Sequence, residues 1–189
     1  MAKMPNEVLD LVKDQGTPKI VATVDKNGEP NVTVKGRLMD PDDETLGCGA
    51  TLLKHKDNGD KINWLIVSDI KVTDGFEKRL VDQRDTEIAI VSKLYEFDSV
   101  HRLGFSTMKI DEYRVSELIT ELSSVIKSIR PNIIYLPFKS DVHSDHRKVF
   151  EVAYSCTKSF RYPFVKKIYM MEVLSETEFA PSTKEDSFV

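Results

Sequence analysis

The chain has 189 residues, 40% hydrophobic and 31% charged, with a formal net charge of −4. That length suits one domain, or one domain with an appendage, and the charge balance, with no lysine/arginine cluster, argues against a nucleic-acid partner. Two cysteines, Cys48 and Cys156, with neither a signal-peptide pattern nor an apolar run of membrane length, point to a reducing cytoplasm.

Asn6 to Lys13 reads as a short helix, with Val8, Leu9, Leu11 and Val12 apolar and Gly16 close behind to end it. Lys19 to Val24 then reads as a strand, and Asp25-Lys26-Asn27-Gly28 has the composition of a hairpin turn. Asn31 to Lys35 alternates polar and apolar residues, which predicts a second, half-exposed strand. These elements make an N-terminal helix and β-hairpin over residues 1–38. The hairpin is expected to add an edge to a sheet, or to act as an interaction arm through which the chain forms a homo-oligomer.

After Asp40 the rhythm changes to alternating helices and strands. Glu44 to Lys56 should be a helix closed near Asn58-Gly59. Ile62 to Val67 is an apolar run of strand length, suited to a parallel strand covered on both faces. Gly75 to Leu94 carries helical spacing, and Val115 to Ile129 is a second helix stopped at Arg130-Pro131. Asn132 to Pro137 reads as another buried strand, Asp145 to Thr157 as a helix, and Lys167 to Val173 as a last strand. The order implies an α/β fold: a Rossmann-like, mostly parallel layered sheet with helices on both faces, occupying residues 39–189.

Two clusters carry chemistry. Asp40-Pro41-Asp42-Asp43-Glu44 gathers carboxylates that repel one another, so a fold that collects them has use for a cation. Asp141-Val142-His143-Ser144-Asp145-His146 supplies two imidazoles three residues apart. Acidic oxygens in one loop and histidines in another are the material of a metal site with a hydrolytic water. Both follow expected strands, and ligands in such sheets bind beyond the carboxyl ends of the strands. Read alone, the aspartates would be a solvated turn capping the next helix, and the histidines a polar loop; their joint occurrence favours the site. His55 and His101 lack companions and read as surface or half-buried residues, and Trp64 as core.

Pro41 to Gly49, with Asp141 to His146 and the helical Arg84-Asp85-Thr86-Glu87, resembles the LmbE/PIG-L family of zinc-dependent de-N-acetylases. The resemblance implies removal of an acetyl group from an N-acetylglucosamine-type sugar or glycoconjugate, with Zn2+, or Mn2+ or another divalent ion, as cofactor. By position it makes Asp43 and His146 metal ligands and Asp42 the general base. His143 would stabilise the oxyanion or protonate the leaving amine, and Arg84 would hold sugar hydroxyls. Asp145 would orient a histidine or cap the following helix.

The family motif opens His-Pro-Asp-Asp-Glu, and here Asp40 stands in place of that histidine ligand. A carboxylate there is shorter, adds negative charge and shifts preference toward harder ions, so metal binding and rate are expected to fall. The alternative is a descendant that keeps the fold as a binding or interaction domain without catalysis. Upstream, Pro5 to Leu38, notably Ile20 to Val32, resembles the opening of pyridoxamine-phosphate-oxidase-like split barrels, which bind FMN. The later strands that complete such a flavin site are missing, so FMN is not expected.

Overall fold

The computed structural model describes residues 31–35 and 48–171. The expected helix over Asn6 to Lys13, the strand over Lys19 to Val24 and the carboxylates Asp40, Asp42 and Asp43 lie outside the described residues, as does the chain beyond Met171.

Five strands form one sheet: β1 (Asn31–Lys35), β2 (Ile62–Asp69), β3 (Ser99–Ser106), β4 (Ile133–Pro137) and β5 (Lys167–Met171). Their order is β3-β2-β1-β4-β5, and every pairing is parallel. Among the described residues four helices connect them: α1 (Gly49–Asp57), α2 (Lys78–Leu94), α3 (Val115–Ile129) and α4 (Ser144–Ser155). The layered parallel α/β sheet expected from the sequence is the observed architecture.

Period-two alternation divides the core between the two faces. Leu65 and Val67 of β2, with Ile134 and Leu136 of β4, meet Leu118, Leu122 and Ile126 of α3 and Val149 and Val152 of α4. Ile62, Trp64 and Ile66 of β2, with Tyr135 of β4, meet Leu52 of α1 and Ile88 and Val91 of α2 on the other side. All eight residues of β2 are buried, which is why that strand is a nearly continuous apolar run. Trp64, fully buried against Phe97, is core as expected. Leu122 is 1% exposed at the centre of one face. Leu122→Ala is expected to cost about 2–5 kcal/mol, seen as a lower urea midpoint with an unchanged slope.

Helix ends follow local chemistry. Asn58 caps α1 and Gly59 turns the chain at φ 81°, a conformation glycine takes without strain. Gly75, at φ 93°, ends a 3-10 turn over Val72–Asp74, so α2 starts at Lys78, three residues after the position its periodicity suggested. Helix α3 ends as expected, with Arg130 in the left-handed region ahead of Pro131.

Two strands depart from the sequence reading. Asn31–Lys35 is not a hairpin strand at an edge but the middle strand, parallel to β2 on one side and β4 on the other. Its alternation is real, but the partners that place it follow much later in the chain, beyond the reach of a local pattern. The middle of the sheet therefore comes from upstream of the 38/39 division. Residues 99–106, to which the sequence reading assigns no element, form β3; polar and glycine positions at Ser99, His101, Arg102 and Gly104 mask its signal.

Candidate functional site

The strand order reverses between β1 and β4, which makes their adjacent carboxyl ends the switch point of the sheet. The chain leaving β1 there carries the acidic motif. The chain leaving β4 runs through Phe138 to His143 into α4 and carries the histidines.

That second loop is tied down by its own polar groups. Asp141, fully buried, accepts from the His143 backbone N–H through Oδ1 at 2.8 Å. Its Oδ2 lies 3.0 Å from His146 Nδ1, and His146 is 1% exposed. The Arg147 guanidinium donates to the carbonyls of Asp141 and Val142, at 2.6 and 2.7 Å. His143 is the N-cap of α4, and its Nδ1 accepts from the Asp145 backbone N–H at 3.2 Å. The two imidazoles lie tilted against each other, ring centroids 4.8 Å apart.

These partners assign opposite tautomers to the two rings. An ionised carboxylate only accepts, so neutral His146 carries its proton on Nδ1 and its lone pair on Nε2. A backbone N–H only donates, so neutral His143 has its lone pair on Nδ1 and its proton on Nε2. A ring backed by a carboxylate and presenting Nε2 is the usual form of a metal-binding histidine. A ring presenting Nε2–H is a hydrogen-bond donor, suited to developing negative charge.

The reading of Asp145 as the carboxylate that orients a histidine needs correction. Asp141 does this, while Asp145 turns its Oδ2 to the Met108 backbone N–H at 2.7 Å and so ties the loop after β3 to the start of α4. Its carboxyl is raised above the usual range, chiefly by burial, with the backbone N–H groups of Met108 and Ile110 acting against that. As capping group, the ring of His143 takes the place expected of the Asp145 side chain. Sequence reasoning gave Asp141 no role of its own; the signal was an aspartate five residues before a histidine, in the loop that follows an apolar strand.

Arg84 lies on α2, 6% exposed, with its Nε 3.9 Å from Glu87 Oε2. Burial pushes the guanidinium down to about 10, against the attraction of Glu87 and Asp69. Beside it, Arg102 of β3 grips Asp69 at the end of β2 through two bonds of 3.0 and 2.6 Å and reaches Asp85 of α2 at 2.6 Å. That network, unforeseen from sequence, pins α2 to the carboxyl end of β2 and the middle of β3. Its one legible sign was an aspartate closing a buried apolar strand. His55 and His101 are half-buried, as expected, with His55 between Asp60 at 2.6 Å and Tyr135 at 2.9 Å.

Of the expected site residues, the structure places His143 and His146 together, while Arg84 lies on α2, which packs on the opposite face of the sheet from α4. Among the described residues no three His, Cys, Asp or Glu side chains form a metal-holding group. His146 nevertheless suits a metal, because Asp141 leaves its lone pair on Nε2.

Residues 41–157 match the family model described as PIG-L, GlcNAc-PI de-N-acetylase. No curated protein matches the chain. Among solved structures, the conserved protein TT1542 from Thermus thermophilus is 23% identical with a TM-score of 0.58, over 74% of this chain and 64% of that one. The N,N'-diacetylchitobiose deacetylase from Pyrococcus horikoshii is 19% identical with a TM-score of 0.55, over 71% of this chain and 51% of that one. The A40926 pseudoaglycone deacetylase Dbv21 is 14% identical with a TM-score of 0.57, over 80% and 66%. The chain thus spans between half and two thirds of the length of these structures, which share its fold.

Proposed function

Because the chain belongs to the PIG-L family of GlcNAc-PI de-N-acetylases, we propose that it is a metal-dependent hydrolase that removes the N-acetyl group from an N-acetylglucosamine-type sugar or glycoconjugate. The observation that carries the reading is the opposite assignment of the two histidine tautomers by Asp141 and the Asp145 backbone. One ring is prepared as a ligand and its neighbour as a donor.

In this reading His146, Asp43 and Asp40 hold a divalent ion, zinc or manganese, which when bound acidifies a water and polarises the amide carbonyl. Asp42 takes the proton of the attacking water. His143 offers Nε2–H to the oxygen that gains charge as the amide carbon becomes tetrahedral, or passes that proton to the departing amine. Asp141 keeps the His146 ring in its tautomer and orientation throughout. Arg84 binds sugar hydroxyls from α2, whose position Arg102 maintains. The catalytic domain in this reading begins with β1 at Asn31, and residues 1–30 stand outside it.

One feature favours a second reading. Asp40 replaces a neutral imidazole with a carboxylate, and a chain that had lost metal binding would persist as a sugar- or partner-binding domain. Elemental analysis of the purified protein for zinc, manganese and iron, before and after chelation, separates the two. About one metal per chain, lost together with acetate release from N-acetylglucosamine, N,N'-diacetylchitobiose or GlcNAc-phosphatidylinositol, supports the hydrolase. A folded, metal-free protein that releases no acetate after zinc or manganese is added supports the binding domain.

The role of Arg84 has its own test. Arg84→Ala is expected to raise KM by roughly tenfold or more, with a smaller change in kcat, because contacts to sugar hydroxyls are made in the ground and transition states alike. Steady-state kinetics on an N-acetylglucosamine substrate would show it, and a fall confined to kcat would assign Arg84 elsewhere.

A further inference from the structure

At the amino ends of the strands, away from the histidines, one side of α3 from Ile119 to Lys127 and the turn after α4 line an open cavity of about 820 Å³. Ser155 on its wall is nine residues beyond His146 along α4, about 14 Å down the helix, so the cavity belongs to the opposite end of the sheet. Its floor is a built polar structure. The Tyr162 hydroxyl donates to Ser123 Oγ at 2.8 Å, and Ser123 Oγ lies 3.3 Å from Cys156 Sγ. Ser123 is 7% exposed and Tyr162 4%.

Three cations line this hollow, Lys127, Lys158 and Arg161, and among the described residues no carboxylate does. Some basic side chains elsewhere have acidic neighbours, as Lys78 has Asp82 and Lys148 has Glu151, while others, such as Lys166, bond to backbone carbonyls. Among the described residues these three have no acidic neighbour. Gathering three like charges costs energy that an anion would recover, and the chain as a whole is acidic at −4. Arg161 brings a planar fork suited to two oxygens of one phosphate, while the lysines act as point charges. The volume falls within the roughly 300–1,000 Å³ typical of small-molecule sites and exceeds what a bare phosphate fills.

We propose that this cavity is a second ligand site, distinct from the deacetylase centre, that binds a phosphate ester of a small polar molecule. The phosphate sits among Lys127, Lys158 and Arg161, and the rest of the molecule lies against the serine hydroxyls of α3 and α4. It stands apart from the hydrolase reading, since none of its residues is in the catalytic machinery.

The test is an amide-resolved NMR titration of the full chain with inorganic pyrophosphate at constant ionic strength. The expected result is saturable shifts confined to Ser123, Ser124, Lys127, Ser155 and Arg161, with half-saturation at or below about 1 mM. The exposed pair Lys158→Glu with Arg161→Glu should weaken binding at least about tenfold while leaving the rest of the spectrum in place. Shifts that never saturate, that spread over the surface, or that survive in the double variant would overturn the site. Sedimentation with phosphatidylcholine vesicles doped with a phosphoinositide separates the two sources of a phosphate ester. Capture by those vesicles without any response to pyrophosphate would overturn the soluble-ligand assignment.

Discussion

Replacing His146 with alanine is expected to abolish metal retention and to lower kcat/KM by at least about a thousandfold, or about 4 kcal/mol of transition-state stabilisation. The same change should destabilise the fold even without metal. His146 and Asp141 are both fully buried, 3.0 Å apart, and removing one partner of such a pair leaves the other uncompensated. The cost for a broken buried pair is about 3–5 kcal/mol, and the backbone N–H of His143 that still reaches Asp141 keeps it near the lower end. For a chain of this size that is a fall in Tm of roughly 6–12 °C, measurable by thermal unfolding of the chelated protein. Asp141→Asn separates the two effects. It keeps an oxygen for the His143 N–H but loses the charge that backs the imidazole, so metal affinity should fall about 10–100-fold with a small loss of stability. Equal metal content in the wild type and His146→Ala would remove His146 from the ligand set.

The second large effect runs the other way. Asp40→His is expected to tighten zinc binding and to raise deacetylation, by one or more orders of magnitude in kcat/KM, each about 1.4 kcal/mol. The physical reason is the charge of the donor set. Asp40, Asp43 and His146 would place two negative charges on the ion, which weakens its pull on a water and raises the pKa of that water. A neutral imidazole at position 40 restores that pull and favours zinc over harder ions. Competition between zinc and manganese, followed by metal analysis and acetate release in the same samples, reads out both parts. If Asp40→His changes neither affinity nor rate, position 40 is not a ligand.

Legibility in the sequence followed how local each cause was. Strands β2 and β4 stand out because both of their faces are covered, so nearly every position is apolar. Helix α3 is bounded correctly because leucines and isoleucines at helical spacing and the Arg130-Pro131 stop are all local. Strand β1 was misplaced because five alternating residues look the same in a hairpin and in the middle of a sheet. The site divides the same way. The spacing of His143 and His146 marked them as a pair, but either Asp141 or Asp145 lies close enough in sequence to back one of the rings. Only the turn ahead of α4 decides that Asp141 faces His146 and Asp145 faces Met108. The grip of Arg102 on Asp69 joins residues on neighbouring strands and leaves no trace in either segment alone.

The central place of β1 also bears on how the chain is made. Val34 is matched to Leu65, but Val32 is also matched to Ile134, about a hundred residues further along. At about 5–20 residues per second, the ribosome delivers β4 roughly 5–20 s after β1. During that interval β1 can pair with β2 along one side only, and its other row of backbone donors and acceptors waits for a strand not yet synthesised. Closing the sheet is thus a late, long-range step, which makes folding slow for a protein of this size. The newborn chain passes through a state with an open strand at what will become its centre, and there a ribosome-bound holdase would do the most good.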